Sequence, residues 1–262
     1  MLALCLPFWQ TALAQQNAFD GERVVHVLDE PRHRPVRQHG QLYLLDVRLK
    51  PGDESFAHVH DQAILLTYIS LAGGPQNGRV GVNIDYASDP LTHKVSNDGP
   101  GLFHIMALVH DGSGELISDS DEPGGMEIAP EIENAWFRSY RYELAPGETT
   151  AMQHHINPSF VILGSEGTVR VSREDGLARE LAYAGEWAWR EPSSAYLITN
   201  VDFSMVAVIA NEGRQQYETC NRWPLWQHLR PRGLFRLRLS LSQSCSNTTF
   251  LTYADGVHTC AS

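Results

Sequence analysis

The sequence predicts an all-β protein, a sandwich or barrel repeated in tandem, and three observations carry that prediction. Short runs rich in β-branched and aromatic residues are bounded by Gly, Pro, Asn or Asp, as strands are. No helical period runs between them. One strand, turn and histidine pattern occurs twice at nearly constant spacing. Composition agrees: hydrophobic residues make up 42% and charged residues 19% of 262 residues, enough for a packed core, and 21 Gly with 14 Pro supply frequent turns.

The repeat is read from two strands. Residues 41–50 alternate and end at Pro51-Gly52, and residues 139–145 do the same and end at Pro146-Gly147. Each turn is followed by a histidine-bearing stretch, Ala57-His58-Val59-His60 in the first copy and Met152-Gln153-His154-His155 in the second. Gly52 to Gly147 and His60 to His155 are both 95 residues apart. Further on, the run from Pro100 to His104 is set against the run from Pro192 to Tyr196, 92 residues away. In the second copy, 160–163, 168–172, 195–199 and 203–210 all read as strands. The resulting division is a first barrel over 22–112, an acidic linker or loop over 113–134, a second barrel over 135–212, and a basic tail of unassigned role over 213–262.

Charge and ends set the outer bounds. The net charge of −11 repels a polyanion and argues against nucleic-acid binding. The tail is the exception, with six Arg against Glu218 and Asp255, while the rest of the chain carries 14 basic and 29 acidic residues. The apolar stretch 2–9 is too short for a membrane span but suits a signal-peptide core, and Ala12-Leu13-Ala14 fits a small-x-small cleavage site. Residues 1–14 are therefore expected to be a signal peptide and the protein periplasmic or secreted, although no Lys or Arg precedes the apolar run. No other stretch could cross a bilayer as a helix. Cys5 would leave with the signal; Cys220, Cys245 and Cys260 all lie in the tail, and no CxxC pair exists to form a zinc finger.

The histidine stretches resemble the cupin superfamily, whose first motif is G-x5-H-x-H-x3,4-E-x6-G and whose second is G-x5-P-x-G-x2-H-x3-N. The resemblance covers about residues 40 to 211 and appears twice. Gly52, His58 and His60 match the opening of the first motif without a gap, while Ile64 and Leu65 hold the places of its glutamate. Gly101 and His104 match G-x2-H of the second motif, with Leu108 where Asn belongs and Pro100 one residue late. The resemblance implies a double-stranded β-helix, or jelly-roll, fold in both copies. Because cupin barrels often pack into larger units, it also makes a homo-oligomer an expectation.

The chemistry follows from strand geometry. Residues two apart on a strand face one side, so His58 and His60 present both imidazoles to one interior. A third imidazole from His104 would complete one face of a single divalent transition metal (Fe, Mn, Ni, Cu or Zn) and leave positions open, a catalytic rather than structural arrangement. Gln62, read as lying on the face of His60, is placed to supply an oxygen or orient bound water. His110 shares the parity of His104. His26, His33, His39 and His93 have no partner pattern and read as ordinary polar residues. In the second copy Gln153 replaces the first histidine, His155 keeps the second and Tyr196 replaces the third, a pocket poor in metal donors, with Asn200 preserving the H-x3-N spacing. His154 should point outward.

Beside a barrel kept for assembly alone, two functions remain open at this level. One is a non-haem metal-dependent oxygenase acting on a small organic substrate. The other is a non-catalytic barrel that binds a sugar or organic acid. No general base accompanies the histidines in sequence. If the cleavage site is used, mass spectrometry of exported protein will show Gln15 at the N-terminus; cytoplasmic protein retaining Met1 would refute export.

Overall fold

A computed structural model describes residues 19–114 and 121–215. They fall in the first of two compact units, which reaches Tyr217. The expected signal peptide, the three tail cysteines and the alternating stretch from Leu234 lie outside the described residues.

The first barrel is formed by β1 (Val24–His26), β2 (His33–His39), β3 (Leu42–Leu49), β4 (Ala57–His60), β5 (Ala63–Leu71), β6 (Gly74–Asn83), β7 (Leu91–His93) and β8 (Phe103–His110). They make one sheet in the order β1-β4-β7 and another in the order β2-β3-β8-β5-β6. The second barrel uses β9 (Ile132–Glu133), β10 (Phe137–Leu144), β11 (Gln153–His155), β12 (Ser159–Leu163), β13 (Val169–Arg173), β14 (Ala178–Leu181), β15 (Trp187–Arg190), β16 (Ser194–Asn200) and β17 (Val206–Gly213). Its sheets run β15-β12-β17-β10-β9 and β11-β16-β13-β14. The fold is thus all-β, two jelly-roll barrels in one chain.

The two five-stranded sheets pack face to face. On β8, Ile105, Ala107 and Val109 point into the first barrel with Leu45, Val47 and Ile64. Met106 and Leu108 point the other way and join Leu42, Leu65, Phe137, Phe160 and Ile162 in an apolar seam between the barrels. Within the seam, Asn211 Nδ2 donates to Thr67 Oγ1 at 2.8 Å. Backbones approach closely at one edge of the seam: a Cβ on Gly164 would sit 2.9 Å from Gly78 Cα. The interior of the second barrel is filled by Tyr140, Tyr142, Tyr196 and aliphatic residues, with Met126 and Ile128 packed against them.

The stretch expected as a linker does more than join the copies. Asp121 accepts from Arg138 Nη2 and Arg214 Nε, both at 2.9 Å, and Glu133 accepts from Arg138 Nε at 2.8 Å. Both arginines are buried. Arg214, placed by the sequence in the tail, therefore belongs to the second barrel.

Two asparagines fix the correspondence between the copies. Asn97 Nδ2 donates to the carbonyls of Leu49 (2.9 Å) and Gly101 (2.8 Å), and its own carbonyl accepts from Gly52 N at 2.8 Å. Asn200 Nδ2 donates to the carbonyls of Leu144 and Ser204, both at 2.8 Å, and its carbonyl accepts from Gly147 N at 3.0 Å. Asn97 therefore matches Asn200, and the residue four before it, His93, matches Tyr196. Strand pairing agrees, with His58 opposite His93 and Gln153 opposite Tyr196. Alignment of His104 with Tyr196 is thereby corrected. The second copy is longer between these landmarks, where its β13–β14 hairpin is inserted before β16.

Each asparagine ties a strand end to the Pro-Gly turn, and truncation strands buried carbonyls. Asn97→Ala and Asn200→Ala are each expected to lower stability by about 2 kcal/mol, read as a shift in urea midpoint. Ser96→Ala, at an exposed neighbouring position, should stay within about 0.5 kcal/mol.

Candidate metal centre

β4 lies between β1 and β7, and its alternation turns His58 and His60 inward together; both are buried. His93, directly opposite His58, brings a third imidazole, with ring centroids 4.6 Å apart. His60 Nε2 and His93 Nε2 stand 3.1 Å apart. A fourth comes from His33 at the start of β2, 4.4 Å from the ring of His58. Potential ligand nitrogens of His33, His58 and His60 all lie within 4.8 Å of one another.

Backing groups orient these rings. Glu30, buried just before β2, faces His33 Nδ1 at 2.7 Å and accepts from Arg32 N at 2.6 Å and Phe56 N at 3.2 Å. Burial raises the Glu30 carboxyl pKa, but the bond and charge of His33 and the two backbone N–H groups outweigh it, leaving the group below the usual carboxylate range. A carboxylate only accepts, so His33 Nδ1 carries the proton and Nε2 is free to ligate. Likewise His58 Nδ1 donates to the carbonyl of Phe56 at 2.9 Å, which leaves His58 Nε2 as a buried lone pair with no partner.

The cluster holds itself neutral. Burial, then the charges of His93, His58 and His33, push His60 down to about 2. Burial, then His58 and His33, push His93 down to about 4. Burial also lowers His58, against the pull of the Phe56 carbonyl. Neutral imidazoles whose lone pairs converge are metal donors by type. His60 and His93, with His33, close one end of a cavity of about 290 Å³ inside the first barrel, walled by Val47, Ile64, Leu66, Ile105 and Ala107.

Of the sequence-predicted residues, His58 and His60 are brought together and His104 is not. His104 is on β8 with the parity of Met106 and Leu108, so it faces the seam and not the barrel interior. There its Nε2 lies 3.0 Å from Asp46 Oδ1, and its ring rests on Gly185, where a Cβ would come within 2.2 Å of His104 Cε1. Asp46 also accepts from Arg34 and Arg48. His110, of the same parity, lies 2.7 Å from the Arg214 carbonyl through Nε2. Gln62 falls in the turn between β4 and β5, where strand alternation no longer applies. Ile64, at the glutamate place, is a wall of the cavity.

His93 was legible: His93-Lys94-Val95-Ser96-Asn97 is the H-x3-N of the second motif, the same spacing as Tyr196 to Asn200. His33 carried no such signal, since it arrives from the other sheet. In the second barrel Gln153, His155 and Tyr196 are buried together, with His155 Nε2 at 3.1 Å from both Gln153 Oε1 and Tyr196 Oη. Burial raises the Tyr196 phenol well above its ordinary value, so it stays protonated. His155 Nδ1 lies 3.6 Å from the buried Glu212 carboxylate. The single imidazole is thus engaged through Nε2, while its Nδ1 makes no hydrogen bond, and His154 is exposed.

No protein-family model matches the chain, and no curated protein matches it. Among solved structures, a mutant of salicylate 1,2-dioxygenase from Pseudoaminobacter salicylatoxidans in complex with gentisate is similar at 9% identity, covering 79% of this chain and 80% of that one with a TM-score of 0.48. AerE from Microcystis aeruginosa shows 11% identity, 71% and 99% coverage and a TM-score of 0.46. A cupin 2 conserved barrel domain protein from Leptotrichia buccalis shows 7% identity, 69% and 88% coverage and a TM-score of 0.43.

Depressed histidine pKa values predict an acid-sensitive metal-free protein. The unfolded chain binds protons below about 6.5, whereas folded His93 and His60 refuse them until about 4 and about 2. Their stabilisation is therefore complete above the unfolded value and lost as pH falls toward the folded ones. Urea unfolding is expected to weaken by roughly 1–3 kcal/mol per pH unit between about pH 6 and 5, before carboxylates titrate. A flat profile there would show that the imidazoles reach water freely.

Proposed function

We propose that the first barrel holds one divalent transition metal through His58, His60 and His93, with His33 as a further ligand, and that it acts on or binds a small organic molecule in the adjoining cavity. The observation that carries this is the buried His58 Nε2, which has no hydrogen-bond partner and points among three other imidazoles. An unmet polar atom in such a place is costly, and a metal would satisfy it. Fe, Mn, Ni, Cu and Zn all accept imidazole, and the donor set does not choose among them.

Bound there, the metal would supply Lewis acidity and open coordination positions beside the cavity. The chain's own contribution is to fix the rings, through Glu30 on His33 and the Phe56 carbonyl on His58, and to line the adjoining space with apolar side chains. A further polar group is the Tyr68 phenol, on the cavity wall. Burial raises its pKa despite the nearby Arg79 charge, so it serves as a neutral hydrogen-bond donor and not as a base. No carboxylate lines this cavity, so no acidic side chain is in place as a general base. A metal-dependent oxygenase, in which the metal and dioxygen carry the chemistry, fits that lining better than a hydrolase would; a non-catalytic binding barrel fits it as well. Oxygen consumption by metal-loaded protein with candidate substrates separates the two. Export through the N-terminal segment completes the proposal.

Elemental analysis provides the direct test of the centre. Wild-type protein should hold close to one metal per chain, because the second barrel offers a single imidazole with an amide and a protonated phenol in the other two places. His58→Ala, His60→Ala and His93→Ala should each lower metal affinity by at least tenfold, with the β-type circular dichroism retained, and His33→Ala should weaken it less. His104→Ala should leave metal content unchanged. Full metal content in the His58, His60 and His93 variants would place the site elsewhere.

A further inference from the structure

The cavity beside the four histidines has a polar end and an apolar body, and no ionic side chain. Its polar end is His33, His60 and His93. Its wall is aliphatic, and its remaining surface is dominated by three aromatic rings, Tyr68, Tyr86 and Phe103. Neither Lys, Arg, Asp nor Glu lines it.

The charges nearest to it are already committed. Arg79 stacks outside, its guanidinium carbon 4.4 Å from the centre of the Tyr68 ring. Glu30 sits behind His33 and is saturated by that ring and by two backbone N–H groups. His26 and Asp61 are paired with each other at 2.8 Å. A ligand that carried a charge into the body of this cavity, away from the metal, would find no side-chain counterion on the wall there.

Size narrows the ligand further. About 290 Å³ lies at the small end of ligand cavities, which run from about 300 to 1,000 Å³ for drug-sized molecules. One ring with a short substituent fills such a space, and three aromatic side chains offer it edge and face contacts.

We infer that the first barrel selects a single-ring compound of the phenol or enol class that carries no charge on its ring end, its one oxygen directed at the histidines and its ring held among Tyr68, Tyr86 and Phe103. This deepens the metal-centre reading and shares its site, but the selectivity resides in the wall and not in the metal.

The test compares two ligands of one shape. Isothermal calorimetry on the full-length chain, as purified and again loaded with zinc, is run with 4-ethylphenol and with tyramine, which adds only an ammonium group to the same skeleton. The ammonium cannot ligate the metal, so it reports on the wall. 4-Ethylphenol is expected to bind, and tyramine to bind at least ~30-fold more weakly. Leu66→Glu places a carboxylate in the wall and should narrow that ratio to less than about fivefold. Ala107→Leu, which fills the cavity from its floor, should weaken 4-ethylphenol at least tenfold while zinc content stays unchanged; it keeps the test decisive if Leu66→Glu does not fold. Equal affinities for the two ligands, or no binding of 4-ethylphenol to zinc-loaded protein, would overturn the selectivity. Binding of 4-ethylphenol with the expected preference by a chain that takes up no zinc would uphold it and defeat the metal centre instead.

Discussion

A five-stranded sheet in each barrel is buried on both faces, and most other features of the molecule depend on that constraint. One face of β3, β5 and β8 fills the first barrel, and the other meets β10, β12 and β17 across the seam. The seam is a sheet-on-sheet core of aliphatic side chains with Phe137 and Phe160, and it takes a continuous apolar area out of water. Polar groups within it form pairs, Asn211 Nδ2 with Thr67 and His104 with Asp46. With these sheets committed to packing, the open functional end of the first barrel falls to the small sheet, where β4 and β7 carry the histidines.

The small sheet explains why the two copies could diverge in chemistry without diverging in frame. The Pro-Gly turn, the asparagine and the cross-strand register are kept, so the positions of His58, His60 and His93 recur as Gln153, His155 and Tyr196. In the second copy an amide and a phenol stand in those places and hydrogen-bond with His155 Nε2, because each can donate to or accept from its neighbours. Met126 and Ile128 then pack over the interior of the second barrel, and Asp121 anchors the same segment to Arg138 and Arg214. One copy keeps a cavity beside free nitrogens; the other has become a supporting wall.

Orientation of the histidines shows where reasoning from strand period holds and where it stops. For β4 the period of two was sufficient, since both residues lie in one short regular strand. For β8 it was not, because every position from 104 to 110 is buried and no polar-apolar alternation marks which side is inside. A one-residue difference in frame separates Ile105, in the cavity wall, from His104, in the seam.

From the amino-acid sequence alone came the all-β class, the duplication, the H-x-H pair on β4 and the loss of metal donors in the second copy. Each is a local pattern: turn residues, strand period, and residue type at a fixed offset. Tertiary structure decided the rest. It set His93, readable from its H-x3-N spacing to Asn97, directly opposite His58 on the neighbouring strand. It delivered His33 from the other sheet by way of a buried carboxylate, and it turned His104 outward into the seam. These depend on which of two buried faces meets which partner, and a run of apolar residues does not encode that choice until the second barrel is there to receive it.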